Sequence, residues 1–211
     1  MDDQGTGSWL DDLASAAPAP GGGAAAAMLA AIGAALVSMV CELTIGKPAY
    51  AEHEEVMRAA RASATDFLAR ARRLADEDAV AFGAVSGAYR LPKGTEAERA
   101  ARTEAIQVAL VGAAGVPLRT AAVAAGIIEL SERILPGANV NVLSDVAVAA
   151  SSARAALEAA EVNVEINLAA LRDPAGRAIL RAELAEFGPA AAVADRVIAA
   201  VRERIAAGSG G

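Results

Sequence analysis

The spacing of apolar and polar positions along this chain is helical almost throughout. From about Ala51 to Leu91, apolar side chains recur every three or four residues, which is the period of one helix face. A second long pattern of this kind runs from about Asn141 to Leu171. No segment alternates between apolar and polar residues, as a half-buried strand does. The pattern predicts an all-α protein, built as an up-and-down bundle of long helices.

Local signals predict several helix ends. Gly46 followed by Pro48 ends the first helix. Thr95 and Glu98 have the spacing of a capping box, so a helix begins there, and Pro117 then either kinks that helix or begins another. Proline at the first helical position predicts two shorter helices, which start at Asp173-Pro174 and Gly188-Pro189.

Composition favours one domain with an aliphatic core. The chain has 211 residues, of which 55% are hydrophobic and only 3% aromatic. We expect a single helical domain over residues 1–207 and a flexible tail over 208–211. The uncharged stretch from Leu13 to Cys41 is long enough to cross a bilayer, but it consists mainly of Ala and Gly and follows an acidic flank. A helix buried inside the bundle is the better interpretation, and we expect no membrane partner.

Charge and cysteine content exclude further classes. The formal net charge is −7 and the sequence pI is about 4.8, which argues against nucleic acid as a partner. The single cysteine, Cys41, excludes an internal disulfide and suits the cytoplasm. The single histidine, His53, is a poor start for a histidine relay or a zinc site, so we expect no metal and no cofactor. Acid–base chemistry would therefore fall to carboxylates, lysines or an arginine in a tuned environment.

A rigid turn that leads into the uncharged helix is the most distinctive local feature. Pro20 precedes three glycines, Gly21, Gly22 and Gly23. Glycines let a ligand approach the backbone closely, and a helix N-terminus offers unpaired N–H groups. The turn is therefore a candidate ligand cradle. The alternative is that these residues only mark a helix entry packed against a neighbour.

Asp78 is the carboxylate that the pattern singles out. It falls within the apolar stripe of the second long helix, beside Phe67, Leu74 and Val85. An acid on an apolar face must be paired, protonated or functional. The two hypotheses are an acid–base catalyst and a structural ion pair with an arginine of another helix.

Other polar residues form two groups. The only lysines, Lys47 and Lys93, lie in loops that follow predicted helices, where they could meet an anionic ligand, although two residues cannot exclude chance. In the last long helix, Asp145 and Asn163 share a face but stand roughly 27 Å apart. Either two sites exist or an antiparallel partner subunit brings the two ends together. We expect Asn163 and Asn167 to form hydrogen bonds across an interface.

Eight short strings occur together and in order. They are Pro18-Ala-Pro-Gly-Gly-Gly23, Leu43-Thr-Ile-Gly-Lys47, Asp78-Ala-Val-Ala-Phe82, Leu91-Pro-Lys93, Ala105-Ile-Gln107, Val116-Pro-Leu118, Asn141-Val-Leu-Ser-Asp145 and Asn163-Val-Glu-Ile-Asn-Leu168. With them the chain resembles the cyclodeaminase domain of formiminotransferase-cyclodeaminase and the related methenyltetrahydrofolate cyclohydrolases. The resemblance extends from about Trp9 to Asp173.

The resemblance implies a helical homodimer that binds a tetrahydrofolate derivative. It favours formiminotetrahydrofolate cyclodeaminase, which closes 5-formiminotetrahydrofolate to the 5,10-methenyl form and releases ammonia. The alternatives are methenyltetrahydrofolate cyclohydrolase, which adds water to give 10-formyltetrahydrofolate, and a folate-binding or scaffold protein without turnover. Asp78 becomes the predicted acid–base residue. The implied folate site is lined by Pro20, Gly21, Gly22, Gly23, Asn141 and Asp145, with Lys47 and Lys93 on the glutamate carboxylates.

Three positions depart from the family pattern. Ala24 stands where a serine is usual, Glu42 stands at a position that is usually neutral, and Glu161 follows Ala160 where Gly-Ala is usual. These changes bear on turnover more than on the fold.

Overall fold

The computed structural model describes residues 5–208, which fold into seven α-helices. They are α1 (Thr6–Leu13), α2 (Gly22–Glu42), α3 (Glu54–Tyr89), α4 (Glu96–Ile134), α5 (Leu143–Ala170), α6 (Pro174–Ala185) and α7 (Pro189–Gly208). Short 3-10 turns at Pro48–His53, Leu135–Gly137 and Val140–Val142 join α2 to α3 and α4 to α5. No strand occurs within residues 5–208, so the predicted all-α class is confirmed.

Helices α2 to α5 form an up-and-down four-helix bundle. Each packs against the next, and α5 packs back against α2, which closes the ring. Ala24 at the start of α2 contacts Asp78 in the second half of α3, whereas Glu42 at the end of α2 pairs with Arg61 near the start of α3. The two helices are therefore antiparallel. Helix α7 packs against α4 and α5 from outside. A single chain is described, so the homodimer stays a prediction.

The core of the bundle is made of small and aliphatic side chains. Its largest fully buried members include Met57, Ile127, Ile128 and Leu157. Alanines fill much of the remaining interior, so helix backbones approach closely; a Cβ atom at Gly33 would lie 3.1 Å from the carbonyl oxygen of Ala149. Cys41 is fully buried, and burial raises the pKa of its thiol to about 11. This packing holds α2 rigidly against α3 and α5.

Most predicted helix ends agree with the structure. Thr95 Oγ1 accepts a hydrogen bond from the N–H of Glu98, and the Glu98 carboxylate accepts one from the N–H of Thr95, so the capping box is confirmed. Asp173 caps α6 by accepting from two backbone N–H groups. Pro117 lies inside a continuous α4 and begins no new helix. Helix α1 was not predicted; none of its residues is buried, and Trp9 packs against the edge of the core.

Two segments meet the length and composition of a membrane span, Gly22–Glu42 and Glu96–Gly137. More than half of each apolar window, 56% and 61%, is buried inside the protein. Both segments are core helices of the bundle, and that position accounts for their composition. At the C-terminus, Gly208 is the last residue of α7, and residues 209–211 of the predicted tail lie outside the described range.

Candidate active site

A side chain from another helix caps the N-terminus of α2. Gly21 occupies the N-cap position and has no side chain to offer to the first turn. Instead, Asp78 of α3 reaches across, and its Oδ2 accepts a hydrogen bond from the N–H of Ala24 at 3.0 Å. Helix N-termini favour negative charge, so this carboxylate takes the place of a local cap. The contact joins residues 54 positions apart in the sequence.

The third glycine makes this contact sterically possible. A Cβ atom built at Gly23 would lie 2.0 Å from Asp78 Oδ1 and 2.6 Å from its Cγ. A Cβ at Gly22 would lie 3.8 Å from the Asn163 amide, which is an ordinary contact, and a Cβ at Gly21 would meet nothing within 4 Å. Of the three glycines, Gly23 alone is required by a close approach, and the side chain that approaches is the predicted acid–base residue.

Burial sets the protonation behaviour of Asp78. Desolvation of the half-buried carboxyl raises its pKa above the ordinary value, and the hydrogen bond from Ala24 opposes this shift only in part. Within residues 5–208, no arginine or lysine forms an ion pair with Asp78. The structural ion pair considered as the alternative is therefore not found. A carboxylate in this state is a stronger proton acceptor than an exposed one.

Asp78 lines a cavity of about 400 Å³ at this end of the bundle. The walls come from the turn before α2, the second half of α3, the first half of α4 and the end of α5. Along α3 the lining runs from Asp78 to Tyr89, about 16 Å of helix. Of the residues within 5–208 that line it, Asp78 is the only charged one. The cavity is thus an elongated, largely apolar pocket with a single negative group.

Two residues of the glycine turn that line this cavity have unpaired backbone N–H groups in the described part of the chain. Gly22 and Gly23 line it, and within the described part of the chain their N–H groups donate to no acceptor. Unpaired N–H groups at a helix N-terminus can bind an oxygen that carries or develops negative charge. The cavity therefore combines a proton acceptor and oxygen-binding donors at one end of α2.

Two asparagines of α5 complete the polar part of the wall. The Asn163 side-chain amide donates to Ala159 O at 2.8 Å, and the Asn167 amide donates to Asn163 O at 2.8 Å. One of the two N–H donors of each amide is thereby used within α5, while neither Oδ1 accepts a hydrogen bond from residues 5–208. Both residues line the cavity, a position that was not predicted from the sequence. Their spacing of one turn was visible in the sequence, but the packing of α5 on α2 was not.

The remaining predicted site residues divide between the two ends of the bundle. Lys47, Asn141 and Asp145 do not line the cavity; they lie at the other end of α2, about 30 Å away along that helix. Their place in the implied folate site stays a prediction, since it requires either a second site or an antiparallel partner subunit that brings the two ends together. Lys93 follows Tyr89 closely and lies at the cavity end, exposed. Pro20, whose peptide bond with Ala19 is cis, belongs to the turn beside the cavity.

A closed hydrogen-bond network occupies that other end. Asn139 is 2% exposed, and its side-chain amide donates to Leu43 O at 2.8 Å. Its Oδ1 accepts from the Tyr50 hydroxyl and from the N–H of Asn141. The backbone N–H of Asn139 donates to Thr44 Oγ1. The polar groups of this network bond to one another and tie the loop after α2 to the loop before α5.

Two of the three departures from the family pattern lie away from the cavity. Glu42 pairs with Arg61 on the surface at 2.8 Å. Glu161 lies on α5 outside the cavity lining, and its pKa is raised by partial burial and by Glu158 and Glu165. Ala24 alone touches the site, through the backbone N–H that Asp78 binds.

No cluster of three or more side chains able to hold a metal ion occurs within residues 5–208.

A family model with the description formiminotransferase-cyclodeaminase matches residues 6–202 of the sequence. The chain belongs to this family. A methenyltetrahydrofolate cyclohydrolase of Methylorubrum extorquens is 42% identical over 201 residues, which are 93% of this chain and 95% of that protein. The formimidoyltransferase-cyclodeaminase of Rattus norvegicus is 36% identical over 165 residues, 78% of this chain but 30% of the rat protein.

The fold of the family is shared as well. The crystal structure of the formiminotetrahydrofolate cyclodeaminase of Thermotoga maritima superposes with a TM-score of 0.86 at 28% identity, and covers 97% of this chain and 98% of that one. These relatives carry the names of enzymes that process folate. The family and the helical fold expected from the sequence are both confirmed.

Proposed function

We propose that the protein is a methenyltetrahydrofolate cyclohydrolase, which converts 5,10-methenyltetrahydrofolate and water to 10-formyltetrahydrofolate. The observation that carries the proposal is the half-buried Asp78 carboxylate, which forms no ion pair within residues 5–208. It lies in the same cavity as Gly22 and Gly23, whose N–H groups are free in that range. The sequence alone favoured the cyclodeaminase. The 42% identity to a cyclohydrolase over 95% of that relative's length now gives the hydrolytic reaction first place.

The chemistry needs one residue that can accept a proton and return it. The ionised Asp78 takes a proton from a water molecule as the water oxygen attacks the bridging methenyl carbon. That carbon becomes tetrahedral and carries a hydroxyl group between N5 and N10. Cleavage of its bond to N5, with a proton returned to N5, leaves a formyl group on N10 and releases one proton overall. The N–H groups of Gly22 and Gly23 stabilise the new oxygen as charge develops on it.

Electrostatics of the cavity suit this substrate. The methenyl bridge carries a positive charge delocalised over two nitrogens, and the only charged group of the lining is the Asp78 carboxylate. In a mainly apolar pocket this pairing is stronger than it would be in water. The free Oδ1 atoms of Asn163 and Asn167 are acceptors for N–H donors of the pterin. In this proposal Lys93, which follows the Tyr89 end of the cavity, meets the glutamate tail, while Lys47 lies at the other end of α2 in the same protomer.

Formiminotetrahydrofolate cyclodeaminase is the second candidate, because the Thermotoga maritima protein that carries this name shares the fold over nearly the whole chain. In that reaction N10 attacks the formimino carbon, and Asp78 would deliver the proton that lets ammonia leave. The same carboxylate serves either direction of proton transfer.

The proposal also includes a homodimer in the cytoplasm with no added cofactor.

Purified protein offered each substrate separately tests the assignment. With 5,10-methenyltetrahydrofolate, we expect the methenyl absorption band to disappear faster than in buffer alone. With 5-formiminotetrahydrofolate, appearance of the same band together with ammonia would assign the cyclodeaminase instead. Binding of both compounds without turnover of either would contradict both assignments and would support a folate-binding protein.

A further inference from the structure

A small pocket on the surface of α3 and α4 is lined mainly by arginines. Arg70 and Arg73 contribute from α3 and Arg119 from α4, beside Leu74 and Glu77. Its volume is about 110 Å³, which is well below the roughly 300–1,000 Å³ of pockets that hold drug-sized molecules. Among the described residues, it shares none of its lining with the Asp78 cavity. The pocket is therefore a separate feature, of a size that suits a small ion or group.

The order of residues on α3 brings these side chains together. Arg70, Arg73 and Glu77 follow one another at intervals of three and four residues, so they share one face over about 10 Å of the helix. Helix α4 packs beside α3, and Arg119 reaches across from it to donate a hydrogen bond to the Glu77 carboxylate. Guanidinium groups thus border the pocket from two helices.

Two of the three arginines are held in place by neighbours. Arg119 is held by its ion pair with Glu77. The Arg70 guanidinium lies 5.6 Å from the centroid of the Phe67 ring. That ring is itself fixed against α4, since a Cβ atom at Gly126 would lie 2.5 Å from Phe67 Cζ. Side chains that are positioned before a ligand arrives lose less freedom on binding it.

The charge of the pocket is not balanced within the described chain. Glu77 is the only acid among the lining residues of the range 5–208, so three arginines leave a formal charge of about +2, although the whole chain carries −7. Arg73 forms no ion pair within residues 5–208. Asp66, outside the lining, is 3.7 Å from Arg70 and is exposed. An anion in the pocket would relieve the repulsion between these like charges.

We propose that this pocket binds a phosphate group, carried by the free ion or by a monoester of a small metabolite. A phosphate group has a charge of about −1.5 to −2 near neutral pH and three strong acceptor oxygens, which matches the charge of the pocket and its three guanidinium groups. Guanidinium groups bind phosphate oxygens in pairs, and a single carboxylate has only two oxygens to offer. The site goes beyond the proposed function, and phosphate binding and turnover are measured separately.

Isothermal titration calorimetry of the full chain, in a low-salt buffer without phosphate, tests the site. We expect inorganic phosphate to bind, with an affinity that falls as sodium chloride is added. Arg73→Gln should weaken phosphate binding by about tenfold or more, because it removes a charged donor. Arg72→Gln is the matched control: it removes the same charge from the neighbouring exposed residue, which does not line the pocket. It should bind phosphate within about twofold of the wild type.

Glu77→Gln tests the charge balance in the opposite direction. Glutamine keeps an acceptor for Arg119 but removes the negative charge from the lining. Phosphate binding should therefore tighten by about threefold or more. Unchanged or weaker binding by this variant would contradict the role given to the net charge of the pocket.

Two further ligands identify the group that is bound. Glycerol phosphate that binds more tightly than inorganic phosphate would assign a phosphorylated metabolite, and equal or weaker binding would assign the free ion. Malonate, which offers carboxylates instead, should bind at least about tenfold more weakly than phosphate. No binding of phosphate by the wild type, equal affinities in Arg73→Gln and Arg72→Gln, or malonate binding as tight as that of phosphate would overturn the proposal.

Discussion

The two ends of α2 both gather polar groups, but they treat them in opposite ways. At the C-terminal end, Asn139 and its partners bond to one another, and Asn139 is 2% exposed. At the N-terminal end, Asp78 accepts one hydrogen bond, and the N–H groups of Gly22 and Gly23 donate none within the described residues. The network at the C-terminal end of α2 therefore stabilises the fold, whereas the N-terminal end can bind a ligand.

This contrast shows how one rigid helix can serve both stability and chemistry. Buried polar groups that are fully paired hold a fold in one conformation. Polar groups left unpaired at the edge of a cavity cost stability and are available to a substrate. The raised pKa of Asp78 is the electrostatic sign of that cost.

Removing the Asp78 carboxylate at the N-terminal end of α2 should have the largest effect. Asp78→Asn keeps the side-chain volume and an acceptor for the Ala24 N–H, but it cannot take up a proton at neutral pH. We expect turnover to fall by roughly 10²-fold or more in a folded protein. Asp66→Asn, which alters an exposed aspartate of the same helix, should keep normal turnover. Initial rates of methenyl consumption measure both, and near-normal turnover in Asp78→Asn would remove the catalytic assignment.

A substitution in the Asn139 network, at the C-terminal end of α2, should lower stability and leave turnover nearly unchanged. Asn139→Ala removes the donor to the Leu43 carbonyl and the acceptor for the Tyr50 hydroxyl, which keeps only its bond from the N–H of Val140. We expect a loss of about 2–3 kcal/mol in the free energy of unfolding. Turnover per folded molecule should stay within about twofold, because the network lies about 30 Å from the cavity along α2. Urea denaturation combined with active-site titration separates the two effects; a large loss of turnover in the folded fraction would show that the ends are coupled.

Gly23→Ala tests whether the missing Cβ atom at Gly23 is what lets the Asp78 carboxyl reach the N–H of Ala24. Its Cβ would overlap the Asp78 carboxyl, so the carboxyl must move away from the Ala24 N–H. Because the proton acceptor is then displaced from its position beside the substrate, turnover should fall by about ten- to a hundred-fold. Gly22→Ala, whose Cβ makes only an ordinary contact with Asn163, should lose much less. Equal losses in the two variants would show that the glycines act through backbone flexibility.

The smallest expected effect is a gain in stability. The pKa of Asp78 is raised in the folded state, so its contribution to stability is full below the unfolded pKa and is lost as pH rises through the folded pKa. At neutral pH, Asp78→Asn should therefore have a melting temperature equal to or above that of the wild type. The difference should shrink as the pH is lowered. A lower melting temperature at neutral pH would instead support a structural role.

Features set by neighbouring residues were predictable, and features set by packing were not. Thr95 with Glu98 and Asp173 with Pro174 mark helix starts through contacts a few residues apart. Asp78 was predicted because an acid interrupts an apolar stripe on its own helix. Its bond to Ala24 spans 54 residues and depends on how α2 packs against α3, which no local pattern encodes.

The sequence also carries a signal for which polar groups meet within one protomer. The glycine turn precedes α2 and Lys47 follows it, so an up-and-down bundle must place them at opposite ends of that helix. Asn163 and Asn167 follow the same topology, since antiparallel packing places the end of α5 beside the start of α2. The order of helices, more than residue type, decides which polar groups meet.

The pH dependence of kcat/KM for 5,10-methenyltetrahydrofolate tests the central claim most directly. A general base works only when ionised, so activity should be lost as pH falls through the pKa of Asp78, with a midpoint above the ordinary value for aspartate. The residual activity of Asp78→Asn should lack that inflection. An identical acidic inflection in both proteins would contradict the account, because the proton acceptor would then be another group.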